Sequence, residues 1–169
     1  DSAKLFERYR KRQQRELQSK LLSIMFIRIP LFDPDNLLKR LMPIFRWFVS
    51  TLGAIIWLTV VAVAVKLVTE RFDQAMDQAQ GILAPDNLFL MYAGLVAIKT
   101  IHEFGHAIVC RRFGGEVHTM GVMLLVFTPL PYMDATSSWS FRSRWQRALV
   151  GGAGMITEVF VAALATFVW

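Results

Sequence analysis

Three residues with the types and spacing for chemistry stand together: His102, Glu103 and His106, in Thr100-Ile101-His102-Glu103-Phe104-Gly105-His106-Ala107. On an α-helix, side chains four apart share a face, with Cβ atoms roughly 5–6 Å apart. Two imidazoles so placed can converge on one metal ion at about 2.0–2.1 Å from each nitrogen. Glu103 follows His102 directly, so its carboxylate lies beside that metal and can take a proton from a water that zinc activates. The bland alternative is two core histidines that fall four apart. The surroundings weigh against it: Ala93 to Cys110 is apolar apart from Lys99, Thr100 and the motif. An ionisable cluster inside such a run is expensive and marks a functional site by default. Val109 and Arg112 stand where H-E-x-x-H-x-x-G-x-x-H proteases carry a glycine and a third histidine.

The elements that must hold this motif follow from composition. Hydrophobic residues make up 54% of the chain, which places it with integral membrane proteins. Charge is blocked along the sequence. Residues 1–46 are basic and 70–87 acidic, with Arg71 alone against Glu70, Asp73, Asp77 and Asp86; 111–147 is basic again, with five arginines. Two membrane crossings between the blocks produce that order, with the basic blocks cytoplasmic. The resulting division is a basic cytoplasmic lead-in with interfacial helices (1–46), a first transmembrane helix (47–69), an outer loop (70–87) and a core (88–169). The core holds a second span over Leu88 to Phe113, a β-like stretch over Glu116 to Tyr132 and a third span from Ala148. The expected fold is an α-helical integral membrane protein with about three transmembrane helices and a short membrane-facing β-like segment. Starting at Asp1 and stopping at Trp169 inside an apolar run, the chain reads as a fragment of a larger membrane protein. Nucleic-acid binding is excluded as a main role, because so apolar a chain uses its basic blocks at a membrane surface.

Other residues carry two readings each. Lys99 either pairs structurally or contacts a substrate carbonyl. Glu158, costly inside an apolar helix, pairs with Lys99 or an arginine, or helps the site. His118 reads as a polar interface residue rather than a ligand, Asp134 as a turn former or an acid lining the cleft, and Cys110 as a small buried apolar residue. Gly151-Gly152-Ala153-Gly154 predicts close helix packing.

These parts together resemble the site-2 protease family of intramembrane zinc metalloproteases. The matching parts are H-E-x-G-H on an apolar helix, Arg-Arg-Phe-Gly-Gly after it, a β-like stretch, a basic turn and the small-residue start Ala148 to Met155. More narrowly, H-E-F-G-H-A, F-G-G-E-V-H-x-M-G-V-M-L-L and P-x-P-Y-x-D resemble the large bacterial branch identified as peptide zinc metalloproteases, and residues 20–68 resemble its lead-in. The resemblance implies a Zn2+ site on His102 and His106, Glu103 as the catalytic base, and a membrane-embedded or membrane-proximal peptide substrate. It also implies a bacterial inner-membrane location, with membrane lipids and further membrane subunits, or more of its own chain, as partners. On the peptidase reading, an unwound substrate is expected to pair against the 117–127 stretch by strand addition. Two departures stand out: Met155 and Glu158 where the family often has Pro and Asn, and no Asp-Gly, which in the family carries the third zinc ligand. That ligand is expected either beyond Trp169 or, as a substitute, at Asp134. The alternative function is a non-catalytic membrane domain of an export or assembly complex that keeps a structural or relic metal site. A transporter-like polar relay through Lys99, Glu103 and Glu158 is the third class.

Overall fold

The computed structural model describes residues 26–82, 85–125 and 128–169. The lead-in read over 1–25, and Val126 and Phe127 of the β-like stretch, lie outside the described residues. In chain order the elements are strand β1 (Phe26–Phe32), helices α1 (Asp35–Phe45), α2 (Thr51–Glu70), α3 (Phe72–Ile82) and α4 (Leu88–Arg112), strands β2 (Met120–Leu125) and β3 (Thr128–Met133), and helix α5 (Arg144–Val168). The chain is mostly helical, with three helices long and apolar enough to cross a membrane and a small three-stranded sheet. Those three are α2, α4 with its preceding turn, and α5, with mean hydropathies of 2.2, 1.2 and 1.8.

Local chemistry sets the helix ends. The first span was expected from Trp47, but α2 starts at Thr51 because Ser50 caps it: its hydroxyl accepts the Gly53 N–H at 3.3 Å. The third apolar helix starts at Arg144, four residues before the expected Ala148, so Arg144 and Arg147 lie in its first turn. Helix α4 ends in a Schellman motif. Gly114 takes φ +88°, a left-handed conformation that suits glycine, and its N–H donates to Arg111 O at 3.0 Å. The Gly115 N–H donates to Cys110 O, also at 3.0 Å.

The β-like stretch is the antiparallel hairpin β2–β3, in register from Met120↔Met133 to Leu125↔Thr128. The third strand, β1, comes from a segment read only as lead-in. Phe26-Ile27-Arg28-Ile29 places aromatic and β-branched residues in sequence, and Pro30 is tolerated because β1 is an edge strand. The order β1-β2-β3 leaves β2 paired on both sides. This corrects the expectation that a substrate pairs against 117–127: that strand has no free edge.

The core lies where α1, the C-terminal half of α4, the start of α5 and the segments flanking the sheet meet. Leu38, Ala107, Cys110 and Val117 are fully buried there beside Val150, with Phe104, Phe113, Met133 and Phe141 packed around them. Helix α1 is tied to α4 by the buried Asp35, which bonds Arg111 Nη1 at 2.9 Å and Lys39 Nζ at 2.8 Å. The Lys39 hydrogen bond first, then the Arg111 charge, hold the Asp35 carboxyl below the usual range against the opposing effect of burial.

Helices α4 and α5 approach closely because small residues line their crossing. A Cβ on Gly105 would run into Thr157 Oγ1 and the Ala153 carbonyl. The other apolar helix, α2, packs on α5, where the Trp57 indole N–H donates to Ile156 O at 2.9 Å.

Candidate metal centre

Two stripes face each other across the α4–α5 crossing. Lys99, His102 and His106 lie on one side of α4, with Glu103 adjoining. Val150, Gly154 and Glu158, four apart, form the facing stripe of α5. The contacts run in register. His106 Nδ1 lies 2.5 Å from Val150 O, Gly154 lies under the His102 ring, and Glu158 Oε1 lies 3.1 Å from His102 Nδ1 and 2.7 Å from Lys99 Nζ.

The contacts constrain the tautomers. A carbonyl only accepts, so His106 Nδ1 carries the proton that it donates to Val150, leaving a lone pair on Nε2. His102 Nδ1 is buried without an aligned hydrogen bond, and the Glu158 carboxylate is the acceptor beside it, close but off line. A proton on that nitrogen is favoured, which again frees Nε2. The two Nε2 atoms are 3.0 Å apart and the rings meet edge to face with centroids 4.7 Å apart. Two lone pairs facing at this distance repel each other unless a proton or a cation lies between them.

The pair suits zinc on this geometry. Two zinc–nitrogen bonds of usual length at a tetrahedral angle set their nitrogens about 3.3 Å apart, within a few tenths of an ångström of the distance found. Turning each outer nitrogen toward a carboxylate or carbonyl is also how protein zinc sites orient histidine ligands. Among the described residues, however, no group of three His, Cys, Asp or Glu side chains could hold a metal, so the histidines form a pair without a third ligand.

Beside the pair opens a cleft of about 500 Å³. It is lined by Glu103 and His106 of α4, by Pro131, Tyr132, Met133 and Asp134, and by Arg147, Val150 and Gly151 of α5. The Met133 backbone N–H faces the Glu103 carboxylate. Glu103 thus opens to the cleft, whereas His102 looks toward α5.

The other candidates separate. Asp134 lines the cleft, but its Oδ1 accepts the Thr136 N–H at 2.9 Å, as in a turn. The Thr136 backbone bond, then its side-chain bond, hold its carboxyl below the usual range. His118 sits away from the pair, exposed between Asp33 at 3.0 Å and Glu116 at 3.1 Å. Cys110 is buried in the core with Ser137 Oγ at 3.4 Å from its sulfur. Lys99 and Glu158 pair, one of the two arrangements open from sequence.

Sequence reasoning missed Arg28, which lines the cleft and lies over the Tyr132 ring at 5.9 Å. Its signal was present: a lone cation in the apolar stretch before Pro30. The roles of Val150 and Gly154 had a signal too, in their spacing of four with Glu158. Comparison with family models, with curated proteins and with solved structures finds no match to this chain.

Proposed function

We propose that this chain is the core of a zinc-dependent intramembrane endopeptidase, with His102 and His106 as metal ligands and Glu103 as the catalytic base. The observation that carries the reading is the approach of two histidine Nε2 atoms to 3.0 Å beside a cleft into which Glu103 opens. The apolar helices support a membrane setting: Leu52, Ile55 and Leu58 of α2 and Phe89 and Leu90 of α4 are all exposed, and such surface needs an apolar surrounding. The charge blocks orient the spans with residues 111–147 cytoplasmic and 70–87 outside, and the motif resemblance assigns the membrane to a bacterial inner membrane.

Zinc, when bound, supplies Lewis-acid activation of water and of a peptide carbonyl. The chain's own residues do the rest. An unwound segment of substrate lies in the cleft beside Glu103 and the Pro131–Asp134 segment. Pro129 and Pro131 carry no N–H, and the Pro129 carbonyl already accepts the Tyr92 hydroxyl at 2.8 Å, so β3 gives that peptide few main-chain partners. Glu103 takes the proton from the attacking water and delivers it to the departing amine nitrogen. The ligand set is completed by a carboxylate from outside the described residues, with Asp134 the weaker candidate because its turn already engages it.

The test uses the full-length protein in detergent and in vesicles carrying single-span peptides as substrates. Alanine at His102 or His106 removes the zinc measured by mass spectrometry. Gln at Glu103 keeps the zinc and lowers cleavage by about 10²–10⁴-fold. Zinc retained by both histidine variants refutes the metal site. Zinc lost in those variants, with no cleavage by wild type and no effect of Glu103→Gln on cell function, replaces the peptidase with the non-catalytic membrane domain.

A further inference from the structure

The Lys99–Glu158 pair joins α4 to α5, and an ion pair between helices needs no further explanation. Three observations ask more of it. The Glu158 oxygen that meets Lys99 Nζ at 2.7 Å is the same oxygen that lies 3.1 Å from His102 Nδ1. His106 receives a matching contact from α5 at its own Nδ1, from the Val150 carbonyl. Between these two contacts, Gly154 leaves the space that the His102 ring occupies; a Cβ there would overlap Nε2, Cδ2 and Cε1 of the imidazole. One face of α5 therefore addresses the outer nitrogen of both histidines and makes room for the ring of one.

We infer that Glu158 is a positioning residue that sets the tautomer and tilt of His102 for metal binding, and that Lys99 holds the Glu158 carboxylate in place for that task. The inference rests on the zinc reading of the histidine pair. Glu158 itself is no ligand here, because it meets Nδ1 and not the converging Nε2 atoms. A Nδ1–H directed at a carboxylate leaves Nε2 as the metal-facing lone pair and raises its basicity. Lys99 supplies the counter-charge that keeps the carboxylate from standing alone in an apolar crossing.

A charge exchange distinguishes this role from helix joining. Lys99→Glu with Glu158→Lys preserves an ion pair across the crossing but sets an ammonium against His102 Nδ1. Zinc affinity of the full-length protein is measured by competition with a chromophoric chelator, and helix packing by thermal unfolding. Glu158→Ala weakens zinc about 10–100-fold. Glu158→Gln recovers part of that loss, because its amide oxygen still accepts the Nδ1–H. The exchange restores much of the thermal stability lost in Glu158→Ala while zinc stays weak. Wild-type zinc affinity in Glu158→Ala, or in the exchanged protein, overturns the inference and leaves the pair as a helix joint. Where the alanine variant fails to accumulate, Glu158→Gln and the exchange decide alone. Zinc unchanged on replacing His102 or His106 refutes the underlying metal site instead, so the two failures read differently.

Discussion

Gly154 sits where a single methyl group reports on the site. An ideal Cβ there would lie inside contact distance of three atoms of the His102 ring, so the ring or the helix must shift in Gly154→Ala. The ring has little freedom, with Glu158 at one nitrogen and His106 at the other. Overpacking of this kind costs about 1–3 kcal/mol. That strain falls on the arrangement with His102 in place, which is the one proposed to hold the metal, so zinc affinity should fall by about 5–150-fold, at 1.4 kcal/mol per factor of ten. Gly152→Ala is the matched control on the same helix. Its new Cβ meets only Ile156 Cδ1, at 3.9 Å, and exchanging glycine for alanine in a helix interior stabilises by about 0.5–1 kcal/mol. Chelator competition and thermal unfolding of both full-length variants make the comparison. Equal zinc affinity in the two variants would refute the placement of His102 against α5.

Two further predictions concern the joints around the site. Replacing Asp35 with Leu leaves Arg111 without its buried partner and should cost about 3 kcal/mol, the low end for a buried pair because the Arg111 side chain keeps some exposure; the double variant Asp35→Leu, Arg111→Met should regain most of it in thermal unfolding. The second is a pH effect at His118, where the Asp33 hydrogen bond first and the Glu116 bond next raise the imidazole's pKa. A group raised on folding stabilises fully below its unfolded pKa of about 6.5 and loses that contribution as pH rises through the folded value. Hydrogen exchange at residues 116–120 should therefore quicken relative to the core as pH climbs above that range, and His118→Asn should flatten the dependence.

How much of this was legible in the sequence divides by the range of the interaction. The motif helix was readable because its signals are local: an apolar run, a two-histidine spacing and the Gly114-Gly115 stop that becomes a Schellman motif. The β-like stretch was readable from its partly β-branched run; that Pro129 and Pro131 lie within strand β3 was not. Strand β1 was not, since its pairing partner is about a hundred positions away (Phe26 opposite Leu125) and a short, mostly apolar stretch looks the same in a lead-in. The small residues of α5 show the same limit. The pattern Gly151-Gly152-Ala153-Gly154 predicts close packing in general, but only the crossing geometry separates Gly154, which meets His102, from Gly151, which meets nothing within 4 Å. Glu158 could be placed at the right depth from sequence, but its choice between Lys99, an arginine and the site depends on helix rotation; the fold lets it serve Lys99 and His102 at once.

The charges at the crossing carry the argument one step further. Lys99 and Glu158 cancel as a pair. Glu103 shares its cleft with Asp134, Arg28 and Arg147, so its charge has partners too, and the two imidazoles remain with their Nε2 atoms 3.0 Å apart. Two imidazole nitrogens brought that close need a proton or a cation between them, and the proposed zinc meets that need. Lys99 matters to that arrangement because without its ammonium the Glu158 carboxylate would stand uncompensated beside His102 in an apolar crossing.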